Sequence, residues 1–132
     1  MQKIVLPLLE WFEKNKRDLE WRREKTPYTI LISEVMLQQT RVEAVRSYYS
    51  RFIKELPDFK ALSCCSEERL LKLWEGLGYY NRARNLKKCA IEIINKHQGI
   101  FPDSYEIAIK LPGIGDYTCG AILSQAYNLK YA

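Results

Sequence analysis

The sequence predicts an all-α fold, and three observations carry that prediction. Apolar residues recur at spacings of three and four along nearly the whole chain, as a helix with one buried face requires. No stretch alternates apolar and polar residues long enough to form a half-buried strand. Capping residues before apolar runs, and glycine or proline after them, punctuate the chain from end to end.

The elements follow in order. A first helix is expected over Ile4 to Lys16, with Pro7 tolerated in its opening turn, and a polar, basic link spans 17–25. Thr26 reads as an N-cap with Pro27 at the first helical position. The helix it opens, Tyr28 to Gln38, is apolar almost all round and is therefore expected to be a central, buried element. A third helix is expected over Val42 to Glu55, stopped by Pro57, and a short one over Phe59 to Leu62. Ser66 caps the next, with Glu67 and Glu68 in its first turn and Gly76 at its close. Asn81 to Gln98 carries a longer helix ended by Gly99, Ser104 to Lys110 a shorter one, and Asp116 to Tyr127 the last, with Asp116 read as its cap.

With 132 residues, 47% of them hydrophobic and 28% charged, the chain reads as one soluble domain over 1–132. Its net charge of +5 makes a polyanion the natural partner. No apolar run approaches the roughly 20 residues that cross a bilayer, and the N-terminus does not read as a secretory signal. No membrane partner is expected, and a cytoplasmic location is. Cys64, Cys65, Cys89 and Cys119 form no C-x-x-C pair and His97 stands alone, so a zinc or iron–sulfur site made by these side chains is not expected. The thiols are expected to be small buried or half-buried groups.

Three segments carry chemistry. In L-P-G-I-G-D-Y-T (111–118) Pro112 stops the incoming helix and Gly113 and Gly115 allow a tight turn with backbone close to a ligand. The N–H groups of the helix that starts there suit a phosphate, although an ordinary helix–helix turn has the same pattern. In S-E-V-M-L-Q-Q-T (33–40) Glu34 is a carboxylate inside a mostly apolar helix. Burial there raises its pKa towards that of a general acid, unless Arg82 or Arg84 pairs with it. In W-E-G-L-G-Y-Y-N-R-A-R-N-L (74–86) two glycines, two tyrosines and two arginines surround a helix start. Aromatics there suit wedging into or stacking on bases and arginines suit phosphates; Tyr80 and Leu86 equally suit a core.

Taken together and in this order, with Thr26, Pro27 and Tyr28 ahead of the first, these segments resemble the adenine DNA glycosylases of the MutY type, in the helix–hairpin–helix glycosylase superfamily. The resemblance implies the six-helix barrel portion of that fold plus an N-terminal helix, with the helix–hairpin–helix at about 104–127. It implies base excision repair on double-stranded DNA carrying an adenine mispaired with 8-oxoguanine or guanine, in the bacterial cytoplasm at the nucleoid. Glu34 matches the catalytic acid, which protonates adenine at N7 so that the N-glycosidic bond breaks through an oxocarbenium-like sugar. Gln39 matches a glutamine that wedges into the duplex and Tyr79 a tyrosine that intercalates beside the opposing base, with Gln38, Thr40, Arg82 and Arg84 also on the DNA side. Leu111, Gly113, Ile114 and Gly115 would grip backbone phosphate, with a monovalent cation on the carbonyls of Leu111 and Ile114 as a further expectation and no metal held by side chains.

Tyr117 stands where relatives resembling endonuclease III carry a lysine that attacks the sugar as a Schiff-base nucleophile. A tyrosine forms no imine, so base excision without strand cleavage is implied. Thymine-removing relatives also carry tyrosine here, and it is the S-E-V-M-L-Q-Q-T segment that favours adenine. The family's catalytic aspartate, in a segment resembling D-G-N-V, is expected within a few residues past Ala132, and the four cysteine ligands of its [4Fe–4S] cluster and the domain that reads 8-oxoguanine are expected beyond Ala132. On this reading the 132 residues bind no cofactor and are catalytically incomplete; the rival is a DNA-binding module without chemistry. The apolar face of the first helix, Leu6 to Phe12 with Trp11, would then lack its cover and promote weak self-association.

Asp116 places a carboxylate at the helix end meant for phosphate. Asp116→Asn is therefore expected to tighten duplex DNA binding at low salt, as read by fluorescence anisotropy; unchanged or weaker affinity would count against that competition.

Overall fold

The computed structural model describes residues 26–38 and 41–128. Over these the chain forms α1 (Pro27–Leu37), α2 (Val42–Glu55), α3 (Phe59–Cys64), α4 (Glu67–Trp74), α5 (Tyr80–Lys96), α6 (Tyr105–Ala108) and α7 (Asp116–Ala126), with no strand among the described residues. The helix expected over 4–16, the self-association expected through it, and Gln39 and Thr40 lie outside the described residues.

The centre of the fold is α1. The Thr26 side chain accepts the Thr29 N–H and the Thr29 hydroxyl oxygen accepts the Thr26 N–H, both at 3.1 Å, with Pro27 at the start, so two N–H groups at this helix end are satisfied locally. Every residue from Tyr28 to Met36 is buried, as the absence of a polar face requires. Helices α2 and α7 pack on α1, and α3 packs on α5. Two buried hydroxyls tie α1 in place: Tyr28 Oη donates to the Leu56 carbonyl at 2.5 Å and Tyr49 Oη to the Thr29 carbonyl at 3.4 Å. Aromatic edges complete the core, with Tyr28 against Phe59 at 4.9 Å and Phe52 against Trp74 at 6.0 Å between ring centroids.

Short helices are delimited by their caps. Asp58 accepts the Ala61 N–H at 2.8 Å and Ser66 accepts the Arg69 N–H at 3.1 Å, opening α3 and α4. The long α5 ends at Lys96, two residues before the expected Gln98, because Gln98 and Gly99 both take positive φ and the Gly99 N–H folds back to the Ile93 carbonyl at 3.0 Å. Helix α6 is shorter than expected because Lys110 and Leu111 donate to residues three positions back, a tighter turn that ends the α-ladder. Asp116 is not the cap of the last helix: Gly115 holds that position, and Asp116 is the first helical residue, its carboxylate accepting from the Tyr105 hydroxyl. Cys89 and Cys119 are buried and Cys65 half-buried, whereas Cys64 is exposed, being the last residue of a short surface helix; all four are free.

The turn that follows α4 is set by sterics. Gly76 has φ +98°, and a Cβ there would overlap the Tyr48 hydroxyl. Gly76→Ala is expected to destabilise the fold by about 1–3 kcal/mol in urea unfolding. In a Tyr48→Phe background the cost should shrink without vanishing, because the overlap is relieved and the positive φ remains.

Candidate active site

The last turn of α1 lies beside the first turn of α7, joined by Gln38 Nε2 donating to Thr118 Oγ1 at 3.4 Å. One turn before Gln38, Glu34 is 4% exposed, and its Oε2 is buried with no hydrogen-bond partner. Burial raises its pKa from the ordinary 4.5 to about 7. Neither candidate arginine pairs with it. Arg82 donates to the Gln38 carbonyl at 2.8 Å, and Arg84 is held by Glu67 and Asn81, each at 3.1 Å, on the α4 side of α5. Of the two readings open for Glu34 in the sequence, the buried acid describes its surroundings.

Tyr117 stands in the first turn of α7, 44% exposed. Its phenol pKa is raised, first by burial and then by the charge of Glu34, so the two side chains interact across the α1–α7 contact although 83 residues separate them in sequence. The hairpin between α6 and α7 presents backbone rather than side chains. Leu111 and Ile114 are buried in the core, whereas Gly113 and Gly115 are exposed. Gly113 takes φ +77°, and a Cβ there would lie 2.9 Å from Asn85 Cβ, so the hairpin rests directly on α5. The Leu111 carbonyl accepts the Ile114 N–H at 3.2 Å, and this turn bond occupies one of the carbonyls expected to be offered to a cation. No side chain caps α7, which leaves its leading N–H groups without that competitor.

Tyr79 is 58% exposed and precedes α5 in a left-handed conformation, φ 52° and ψ 55°. The Arg82 guanidinium lies 4.7 Å from the centre of its ring. A cavity of about 170 Å³ opens between α1, α5 and the hairpin, lined in part by Val35, Gln38, Arg82, Asn85 and Gly113. Tyr80 is exposed and Leu86 buried, so the core reading holds for the second alone. The structure thus gathers Glu34, Gln38, Tyr79, Arg82, Tyr117 and the hairpin around one end of α1, and leaves Arg84 to the α4 side.

Sequence reasoning overlooked Thr118, Asn85 and Trp74. Thr118 and Asn85 are ordinary in sequence, and only helix packing gives them their partners. Trp74 had a signal, since its indole N–H reaches the Gly78 carbonyl, four residues on, at 3.0 Å. Among the described residues no three His, Cys, Asp or Glu side chains stand close enough to hold a metal, and the described cysteines do not fit an iron–sulfur cluster. No helix among the described residues is long and apolar enough to cross a membrane. What the arrangement suits is proton donation near neutral pH to a leaving group, beside a backbone surface suited to an anion.

Comparison with known proteins identifies relatives of the chain. A family model described as "HhH-GPD superfamily base excision DNA repair protein" matches residues 32–130. The chain is 49% identical over 125 residues to an adenine DNA glycosylase of Buchnera aphidicola from Acyrthosiphon pisum, covering 94% of this chain and 36% of that protein. It is 50% identical over 123 residues to the adenine DNA glycosylase of Buchnera aphidicola from Baizongia pistaciae, covering 92% of this chain and 35% of that one. The chain therefore spans about a third of the length of these relatives. Among solved structures it resembles a thermostable thymine-DNA glycosylase, with a TM-score of 0.79 and 30% identity over 99% of this chain and 61% of the other.

The Glu34 pKa carries a stability consequence. The folded protein binds a proton more tightly than the unfolded chain, so stability falls as pH rises from about 4.5 to about 7 and is level above. The loss corresponds to ~3 kcal/mol for a shift from 4.5 to about 7. Glu34→Gln should flatten this dependence and leave the protein more stable at pH 8, as measured by denaturant unfolding across the range.

Proposed function

Because this chain belongs to the HhH-GPD superfamily of base excision DNA repair proteins, we propose that it works in an adenine-specific DNA N-glycosylase, which removes adenine mispaired with 8-oxoguanine or guanine without cutting the strand. The observation that carries the reading is Glu34, a buried carboxyl with no partner on Oε2, a pKa near 7 and Tyr117 as its electrostatic neighbour.

In this mechanism duplex DNA lies along the hairpin, with backbone phosphate on the N–H groups at Gly113, Gly115 and the start of α7. Tyr79 enters the base stack beside the opposing base, and the unstacking it offsets lets the adenine leave the helix. Gln38 sits at the same edge, and Gln39 and Thr40 follow it in sequence. The proton of Glu34 passes to N7 of adenine, the C1′–N9 bond breaks with its electron pair moving onto the base, and the sugar is left as an oxocarbenium ion. Water attacks C1′ and loses a proton, giving an abasic site. Tyr117 has no amine with which to trap the sugar as an imine, so no lyase step follows. A carboxylate that stabilises the cation is assigned to the segment resembling D-G-N-V in the wider family, and Glu34 supplies the acid half of that pair.

A thymine mismatch glycosylase is the second reading, favoured by the structural likeness to the thymine-DNA glycosylase. The two separate in single-turnover base release from duplexes carrying 8-oxoguanine·adenine, guanine·adenine and guanine·thymine pairs. In the protein carrying this chain, adenine release is expected, and Glu34→Gln should reduce it by about 10²-fold or more. Since the protonated acid is the active form, the rate should be level below pH 7 and fall above it, a limb that Glu34→Gln removes. Thymine release alone would overturn the adenine assignment, and DNA binding with no base release would leave a binding module.

A further inference from the structure

Tyr79 adopts a backbone conformation that L residues with large side chains avoid, and such strain persists only where the surroundings hold it. The holding contacts are on both sides of it. The Trp74 indole N–H fastens the preceding Gly78 carbonyl at 3.0 Å, and the Arg82 backbone N–H fastens the Tyr79 carbonyl at 2.9 Å. The Arg82 guanidinium then covers the Tyr79 ring at 4.7 Å. The same guanidinium reaches the Gln38 carbonyl, at the C-cap of α1, at 2.8 Å. Helix α1 has no basic residue in its own last turn, so Arg82 brings from another helix the cation that a helix C-terminus favours.

One planar group therefore joins two segments 41 residues apart in sequence, the end of α1 from which Gln39 and Thr40 continue and the loop that presents Tyr79. We propose that Arg82 is a positioning residue, which holds these two duplex-facing segments at a fixed spacing instead of binding a phosphate itself. This rests on the DNA glycosylase reading. Covering a ring with one face while donating N–H groups from its own edge requires a planar guanidinium; an ammonium makes one contact or the other.

The test places 2-aminopurine, whose fluorescence rises on unstacking, next to the mispair in a duplex bound by the full chain carrying Arg82→Lys, Arg82→Ala, Tyr79→Ala or the double change Tyr79→Ala with Arg82→Ala. The expected result is a loss of about tenfold in the unstacking signal for each single variant, lysine included, with no further loss in the double variant. The slope of log affinity against log salt should be unchanged by Arg82→Lys and Arg82→Ala alike. Circular dichroism on Arg82→Lys provides the folded comparison if the alanine variant does not fold. A signal preserved by lysine, a salt slope reduced by about one phosphate in Arg82→Ala, or additive losses in the double variant would overturn the proposal. A wild-type chain that unstacks no base overturns the glycosylase reading and the proposal with it, whereas unstacking by the wild type with additive variants overturns the proposal alone.

Discussion

The structure depends on the burial of α1 from Tyr28 to Met36. A helix with no polar face, covered by α2 on one side and α7 on another, leaves no water for a charge along its middle turns. Placing Glu34 there raises the carboxyl pKa to about 7 by desolvation. The same burial forces α1 to satisfy its ends by other means, through the reciprocal Thr26–Thr29 cap at one end and an arginine from α5 at the other. The order of the core and the raised carboxyl pKa therefore trace to one packing decision.

That decision has a cost in stability that other parts of the fold offset. A carboxyl oxygen buried without a partner is unfavourable, and a group in this condition is more often found at a functional site than in a structural core. The core that offsets it is aromatic, with Trp74, Tyr49, Phe52 and Phe101 fully buried. The polar side chains at the edge of the site are each tied to backbone or to another helix: Gln38 to Thr118, Arg82 to the Gln38 carbonyl, Trp74 to the Gly78 carbonyl. Pre-organisation of this kind matters because a reacting group displaced by about 1 Å loses much of its rate advantage.

The hairpin follows a different logic. Its apolar side chains, Leu111 and Ile114, are spent on the core, which turns the loop backbone outward and leaves exposed glycines at its tip. Gly113 is required twice over, by its positive φ and by the approach of Asn85 from beneath. Asp116 adds a carboxylate at the start of α7, held by the Tyr105 hydroxyl, and that bond in turn pushes the tyrosine pKa up to about 12. An anion approaching α7 meets a helix start that no side chain caps and this negative group together.

Much of this is legible in the sequence. The all-helical class, the caps at Thr26 and Ser66, the limits of α2, the stop near Gly99 and the burial of Glu34 are written in local periodicity and in residues that act on their immediate neighbours. The tight turns that shorten α6 and the exposure of Cys64 were not, because each reflects how a segment meets the rest of the fold. Nor was the choice between a buried acid and an ion pair at Glu34. That choice turned on where Arg82 and Arg84 point, and two residues along α5 send one to the end of α1 and the other to Glu67 on α4. Sequence by itself thus determined the order of the helices from α1 to α7, which of them is central and which carboxyl is buried within it, since these depend on contacts a few residues apart. Only the tertiary structure decided that Glu34 has no cationic partner among the described residues, that it acts on Tyr117, and that Arg82 joins Tyr79 to Gln38, because pairings across 83 and 44 residues are set by how helices cross, which no local pattern encodes.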